Sequence, residues 1–143
     1  MNRTYPQLPV CAVSAILFRE HKVLLVQRGK PPAYGKWSIP GGVVKLGETL
    51  EAAVIREVRE ETSLLVHPVR LGKVVERIFR DDDSSIQYHY VILDYVCELV
   101  EGNPVAASDA QAVQFADIDS LDHLDMTEGT TEVIREAYRE LGS

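Results

Sequence analysis

One segment near the middle of the chain repeats its apolar residues with the period of a helix. Leu50, Val54 and Val58 recur at four-residue spacing, and alanines and charged helix formers fill the gaps between them. This pattern predicts a helix over about 49–62. Thr49 is suited to cap the start of the helix, because a threonine hydroxyl can accept a hydrogen bond from a backbone N–H of the first turn.

The same period returns near the C-terminus. A second helix is predicted over about 130–141, with Thr130 or Thr131 as its cap. Its buried stripe should consist of five residues: Val133, Ile134, Ala137, Tyr138 and Leu141.

Elsewhere the apolar residues run together or alternate, which is typical of strands. The segments 10–18 and 22–28 are predicted as two strands, and the first is apolar enough to lie in the middle of a sheet. The segment 64–79 predicts one bent strand or two short ones, the segment 87–100 is the longest β-like run, and 112–116 is the last. This order predicts an α+β fold in which helices pack against a mixed sheet.

Composition narrows the class of protein. The chain has 143 residues, 45% of them hydrophobic and 26% charged, which indicates one soluble domain over 1–143. No apolar run has membrane-spanning length and the first residues do not lead into a secretion signal, so we expect a cytoplasmic protein without membrane contact. Cys11 and Cys97 lie in apolar, strand-like runs and are predicted to be buried free thiols.

The net charge is −7, and this acidity argues against nucleic acid as a partner, since nucleic-acid binding uses a basic surface. A polyphosphate substrate would also be repelled, unless bound cations reversed the charge locally.

Three carboxylates on the first helix have an unusual placement. Glu57, Glu60 and Glu61 stand at positions i, i+3 and i+4 and share one face, with Glu61 on the stripe that should be buried. Like charges at this spacing repel one another, and divalent cations such as Mg²⁺ would relieve the repulsion. A solvated acidic helix is the other interpretation, and the helix alone leaves the two evenly balanced.

The residues around this helix resemble the Nudix box, G-x5-E-x7-R-E-U-x-E-E-x-G-U, in which U is bulky and apolar. The matching residues are Gly42, Glu48, Arg56, Glu57, Val58, Glu60, Glu61 and Leu64. Ser63 departs from the pattern, because the family has glycine there; we expect a left-handed serine with a cost of roughly 1 kcal/mol. The segment 32–42 also resembles the stretch that leads into the box in this family.

The resemblance implies an α/β/α Nudix sandwich and a metal-dependent hydrolase. Mg²⁺ or Mn²⁺ would be held by Glu57, Glu60, Glu61 and the backbone carbonyl of Gly41. Water would then attack phosphorus in the diphosphate linkage of a small-molecule nucleotide. Arg56 lies four residues before Glu60 and is expected to pair with it and hold the cluster in shape.

The sequence does not decide which residue is the general base. Members of the family often carry an acid where Ala112 stands, which leaves Asp109, Glu61 and Glu48 as candidates. Glu48 lies at the helix entrance and would either complete the site or help to cap the helix.

Three residues before the helix are candidates for substrate binding. Arg28 would pair with a phosphate or have an ordinary surface role. Trp37 would stack on a nucleobase or pack beneath its loop. Gly42 would let main-chain groups approach the phosphate closely.

The box defines a reaction and no substrate. ADP-ribose or a related nucleotide sugar is the first expectation, by analogy with small bacterial Nudix proteins. The alternatives are hydrolysis of a (deoxy)nucleoside triphosphate, a non-catalytic nucleotide sensor, and an isopentenyl diphosphate isomerase. The isomerase requires a cysteine motif that neither Cys11 nor Cys97 follows. A homodimer is possible.

Overall fold

A mixed sheet separates two helices in this protein. The computed structural model describes residues 3–141. The strands are β1 (Val10–Arg19), β2 (Lys22–Arg28), β3 (Trp37–Ser38), β4 (Gly41–Val43), β5 (Leu65–Arg80), β6 (Ile86–Glu101) and β7 (Ala110–Asp117). The helices are α1 (Leu50–Thr62), α2 (Thr130–Leu141) and a 3₁₀ helix, Ile118–His123, between β7 and α2.

The sheet has seven strands, and its main path runs in the order β3-β2-β1-β6-β5. Strand β4 pairs with β1, and β7 pairs with β2. β1 and β6 are parallel, whereas the pairs β1–β2, β1–β4 and β5–β6 are antiparallel. β1 therefore lies in the middle of the sheet, as its apolar sequence predicted.

The core lies in two layers, one on each face of the sheet. Alternate residues of β1 supply both layers: Val13 and Leu17 pack with α1, and Ile16 packs on the other face with α2. In α1 the buried residues include Val54 and Val58, as the four-residue spacing predicted. This α/β/α arrangement confirms the predicted fold class, with both helices within a residue of their predicted bounds.

Both ends of α1 have the caps that its sequence indicates. The Thr49 hydroxyl accepts a hydrogen bond from the backbone N–H of Ala52 at 3.2 Å. Ser63 ends the helix in the left-handed conformation, with φ 66° and ψ 8°, the region in which a side chain crowds the backbone and glycine does not. The serine thus preserves the geometry of the helix end that the box glycine would provide.

Replacing this serine should stabilise the fold. We expect Ser63→Gly to raise the free energy of unfolding by roughly 0.5–1 kcal/mol, because glycine removes the left-handed strain. For a chain of this size that is about 2–5 °C in Tm by calorimetry. Ser85→Gly is the matched control, since Ser85 is an exposed turn residue without a positive φ, and it should lower Tm slightly. An equal response of the two variants would contradict the prediction.

Two predictions of burial are wrong. Cys11 is exposed, because it lies at the end of β1 that borders a large cavity. Leu141 is 51% exposed at the end of α2. Cys97 is buried as predicted, and burial raises the pKa of its thiol to about 12, which leaves no thiolate at neutral pH.

The segment after α1 is a single strand, β5, whose pairing with β6 shifts register at four places. These irregularities explain its loose alternation in the sequence. None of the described helices has the length and hydropathy of a membrane-spanning segment.

Candidate active site

Two glycines bring the backbone of β4 against the acidic face of α1. The backbone N–H of Gly41 donates a hydrogen bond to Glu61 Oε2 at 3.0 Å. At Gly42 a Cβ would overlap the Glu57 carboxylate, so a larger residue there would displace that carboxylate. Glycine lets the strand and the helix approach with the carboxylate in place.

Arg56 connects the carboxylate of Glu48, at the entrance of α1, with carboxylates on the face of the helix. Its Nε and Nη2 donate to the two oxygens of Glu48, at 2.7 and 2.9 Å. Its Nη1 donates to Glu57 Oε1 at 2.8 Å and to Glu60 Oε2 at 3.3 Å. Arg56 Nη2 also donates to the carbonyl of Val43 at 3.1 Å. The expected pair with Glu60 is present, but it is the longest of the four contacts with carboxylates.

Glu48 is fully engaged by this network. Besides both bonds from Arg56, it accepts a hydrogen bond from the backbone N–H of Lys45 at 3.0 Å. The bonds from Arg56, and then the one from Lys45, lower the pKa of Glu48 to about 2. Thr49 provides the helix cap instead, so the role of Glu48 here is to bind Arg56. Sequence reasoning missed this clamp, because eight residues separate its two members.

Glu61 has the opposite environment. Burial, and secondarily the charge of Glu57, raise the pKa of Glu61 to about 8, against the bond from Gly41 and the charge of Arg28. The carboxyl thus resists ionisation while no cation is present. Its position on the buried stripe of α1 agrees with the pattern that the sequence predicted.

The three carboxylates of α1 are not drawn tightly together. Within residues 3–141, the group whose ligand atoms lie within 4.8 Å of one another is His21, Asp117 and Asp119, on the exposed surface. These three residues already contact one another, with His21 Nε2 at 2.8 Å from Asp119 Oδ2. On α1, Arg56 Nη1 bridges Glu57 and Glu60, while Glu61 accepts from the backbone N–H of Gly41.

The donor set on α1 nevertheless suits a hard divalent cation. Glu57, Glu60, Glu61 and the carbonyl of Gly41 offer oxygen only, which is what Mg²⁺ and Mn²⁺ prefer. Gly42 leaves the space beside Glu57 clear of side chain. Burial, and secondarily the charge of Glu57, raise the pKa of Glu61, and a bound cation would offset both effects. The residues present therefore fit the metal that the sequence resemblance implies.

Burial of the Glu61 carboxyl, with the charge of Glu57 second, predicts that a neutral residue at this position stabilises the metal-free protein. The unfolded carboxyl ionises near its ordinary pKa of about 4.5 and the folded one near about 8. Because the folded state retains the proton longer, the stability from this group is present below about pH 4.5 and is lost as pH rises towards about 8. In chelator, Glu61→Gln should raise Tm by several degrees at pH 8.5 and not at pH 4. Glu51→Gln, exposed on the same helix, should do neither, and a Glu61→Gln gain that did not depend on pH would refute this cause.

The acidic face opens on a cavity of about 1110 Å³. Cationic side chains share the lining with the carboxylates: Arg3, Arg28, Lys30, Lys36, Lys45 and Arg77. These cations supply phosphate-binding groups in a protein whose net charge of −7 would otherwise repel a phosphate.

Two predicted residues lie at the rim of this cavity. Arg28 is partly buried and lines the cavity, and its Nε donates to the carbonyl of Pro32 at 2.7 Å. Asp109 is exposed and pairs with Lys30 at 2.8 Å. The chain after β6 thus returns Asp109 to the same cavity as the carboxylates of α1.

The sequence left two interpretations of Trp37, stacking on a nucleobase or packing beneath its loop. Trp37 packs against the core beneath α2, with partners that include Met126, and its backbone bridges to Met126 in the segment before α2. It is not among the described residues that line the cavity. The packing interpretation of Trp37 is therefore the one that the structure supports, and Tyr34, which accepts a bond from Gln111 Nε2 at 2.6 Å, is the exposed aromatic residue of this loop.

Oxygen donors that suit a divalent cation, beside a cavity with cationic residues in its wall, are typical of metal-dependent hydrolases that act on phosphates. Comparison with known families leads from the class to the family: a family model described as NUDIX domain matches residues 9–141. The chain belongs to the Nudix hydrolase family.

Individual relatives agree with this membership. An ADP-ribose pyrophosphatase of Methanocaldococcus jannaschii is 32% identical over 116 residues, which is 81% of this chain and 66% of that protein. A putative 8-oxo-dGTP diphosphatase 2 of Mycobacterium tuberculosis is 36% identical over 95 residues, 66% of this chain and 64% of that protein. The crystal structure of a MutT NUDIX hydrolase from Burkholderia pseudomallei is 28% identical, with a TM-score of 0.77 over 91% of this chain and 98% of its own. The chain thus spans just under two thirds of the length of the two curated relatives.

Proposed function

We propose that this protein hydrolyses a diphosphate linkage in a nucleoside diphosphate derivative, ADP-ribose or a related nucleotide sugar, with Mg²⁺ or Mn²⁺ as cofactor. The observation that carries the proposal is the acidic face of α1, with Gly41 against it, at the wall of a cavity of nucleotide size. The name of the Methanocaldococcus jannaschii relative favours ADP-ribose as the substrate.

Glu57, Glu60, Glu61 and the Gly41 carbonyl would hold the cation. When bound, the cation would shield phosphate charge, polarise the attacked phosphorus and lower the pKa of a water molecule. Glu48 would act through Arg56, because the fork of the guanidinium fixes Glu57 and Glu60 in position.

The cations at the cavity wall would orient the diphosphate. Arg28 has nitrogens free of its bond to Pro32 and can pair with phosphate oxygens. In the reaction a water oxygen forms a new bond to phosphorus, and the bridging oxygen leaves with the electrons of the broken bond. ADP-ribose would then yield two monophosphates, and a carboxylate would accept the proton of the water. Positioning and charge neutralisation supply most of the acceleration in reactions of this kind.

Glu61 is our assignment for the carboxylate that accepts the proton. Glu48 is excluded as a base by its low pKa and its bonds to Arg56 and Lys45, because a base is efficient when its pKa lies near the working pH. Asp109 is exposed and pairs with Lys30, so its carboxylate is held less firmly than the buried carboxyl of Glu61.

Substitution separates the two remaining candidates. We expect Asp109→Asn to lower kcat less than about tenfold, below the range of a lost general base. Glu61→Gln should lower kcat by about 10³-fold or more, because it removes a cation ligand as well as the assigned base. Asp125→Asn is the matched control, since Asp125 is exposed and near Lys36 at 3.9 Å. A larger loss in Asp109→Asn than in Glu61→Gln would transfer the role to Asp109.

A second candidate function is hydrolysis of nucleoside triphosphates, favoured by the name of the Mycobacterium tuberculosis relative. The experiment that decides is a panel of ADP-ribose, other nucleotide sugars and triphosphates, including 8-oxo-dGTP, assayed with Mg²⁺ and with Mn²⁺. We expect the highest kcat/KM with a nucleotide sugar. Triphosphates that exceed every nucleotide sugar tenfold would overturn the first choice, and tight binding without metal-dependent turnover would favour a sensor.

A further inference from the structure

Asp94 is a buried carboxyl group that the proposed chemistry does not use. It lies in β6, is 3% exposed and lines the cavity. The hydroxyl of Ser14 donates a hydrogen bond to Asp94 Oδ1. Among residues 3–141, Ser14 is the hydrogen-bond partner of the Asp94 side chain. In the same residues, every fully buried side-chain oxygen or nitrogen has a hydrogen-bond partner. It follows that Oδ2 retains contact with solvent, at a residue that lines the cavity.

The sheet places this carboxyl at a defined distance from the metal-binding end. Ser14 in β1 is in register with Gly41 of β4 on one side and with Asp94 of β6 on the other. Asp94 is therefore two strand spacings from Gly41, roughly 10 Å across the sheet. That separation matches the distance from the phosphate next to a nucleoside to the far edge of its base.

The surface beside Asp94 is apolar. Val75 of β5 and Ile92 of β6 are paired in register, both line the cavity, and Val133 of α2 lines it as well. Such a surface can contact the faces of a planar ring, while a single carboxyl reads the edge of the ring and fixes its orientation.

We propose that Asp94, positioned by Ser14, binds the amino-bearing edge of an adenine base, and that Val75, Ile92 and Val133 contact the ring. The inference rests on the proposed function and specifies the nucleoside half of its substrate. A carboxyl group complements adenine because it can accept a hydrogen bond from the 6-amino group and, when neutral, donate one to ring nitrogen N1.

The charge state of Asp94 agrees with that pairing. Burial raises the pKa of Asp94, against the hydrogen bond from Ser14 and the charges of Arg77 and Lys73. Lys73 is itself bound to Glu136 at 2.9 Å, so it does not hold the Asp94 carboxyl in an ion pair.

Calorimetric binding of AMP and of purine riboside 5′-monophosphate tests the inference. The two nucleotides differ at position 6, where AMP has an amino group and the analogue only hydrogen. We expect the wild-type protein to bind AMP at least tenfold more tightly than the analogue, because a site built around a hydrogen bond rejects the analogue that lacks it. Asp94→Ala should weaken AMP at least tenfold and bring the two affinities within threefold of each other. Asp94→Leu, which is similar in size and has no hydrogen-bonding group, replaces the alanine variant if that protein does not fold.

Thr62→Val is the control, since Thr62 is a buried polar residue bonded to Val58 and outside the cavity lining; it should leave both affinities unchanged. An equal loss of binding for AMP and for purine riboside 5′-monophosphate in the Asp94 variants, unchanged binding of both, or no measurable AMP binding by the wild type would each overturn the inference. Monophosphate binding requires no hydrolysis, so the outcome is separate from the proposed function. A protein that selects AMP through Asp94 but hydrolyses no diphosphate would retain the inference and lose the proposed activity.

Discussion

Glu57→Gln and Glu60→Gln should each lower kcat by about 10³-fold or more, equivalent to about 4 kcal/mol of lost transition-state stabilisation. Each substitution removes an anionic ligand from the set that would hold the cation, while the amide keeps the size of the side chain. The fold should persist, because Glu60 is largely exposed and Glu57 lies at the cavity, outside both core layers. Steady-state kinetics at saturating Mg²⁺, with circular dichroism to verify folding, measures both parts.

Glu51→Gln is the control for these variants. Glu51 is exposed in the first turn of the same helix, and its substitution changes the net charge equally. It should leave kcat within about twofold, since a surface change of this kind is nearly neutral. Near-wild-type turnover in both Glu57→Gln and Glu60→Gln would exclude them as cation ligands.

Arg56→Lys should lower kcat by about 10²-fold, the loss that a misplacement of about 1 Å in an active site can cause. Lysine keeps the positive charge but has no planar fork, so it cannot bond both oxygens of Glu48 and still reach Glu57 and Glu60. Tm should fall by several degrees, because the carboxylates and the carbonyl of Val43 lose a common donor.

Arg59→Lys, on the exposed surface of the same helix, should change neither kcat nor Tm appreciably. Calorimetry and initial rates on the two variants make the comparison. An Arg56→Lys protein within threefold of wild-type kcat would show that charge alone, without the fork, suffices at this position.

Local features of the fold could be predicted from the sequence. The spacing of Val54 and Val58 and the hydroxyl of Thr49 fix α1 through interactions within a few residues, so periodicity and capping rules apply to them directly. Ser63 belongs to the same class, because the left-handed end of a helix is a local conformation. The placement of Glu61 on a buried stripe followed from the period as well.

Long-range contacts could not be predicted. The packing of Trp37 depends on Met126, which lies 89 positions further along the chain, and no local pattern brings the two together. Ser14 and Asp94 are 80 residues apart and meet because β1 and β6 pair in parallel. The exposure of Cys11 depends on where the cavity opens beside β1, and an apolar neighbourhood in sequence does not reveal that opening.

The hydrogen bonds that hold the acidic face of α1 could also not be predicted from the sequence. The spacing of Glu57, Glu60 and Glu61 predicted a shared face, but the position of Arg56 between Glu57 and Glu60 depends on its bonds to Glu48. This clamp lets three carboxylates share a helix face while no cation is present.

Anomalous diffraction from crystals soaked in MnCl₂ with a non-hydrolysable ADP-ribose analogue is the most direct test of the cation site. We predict an anomalous peak in contact with carboxylate oxygens of Glu57, Glu60 and Glu61 and with the carbonyl oxygen of Gly41. An analogue bound in the cavity with no manganese beside these residues would contradict the account.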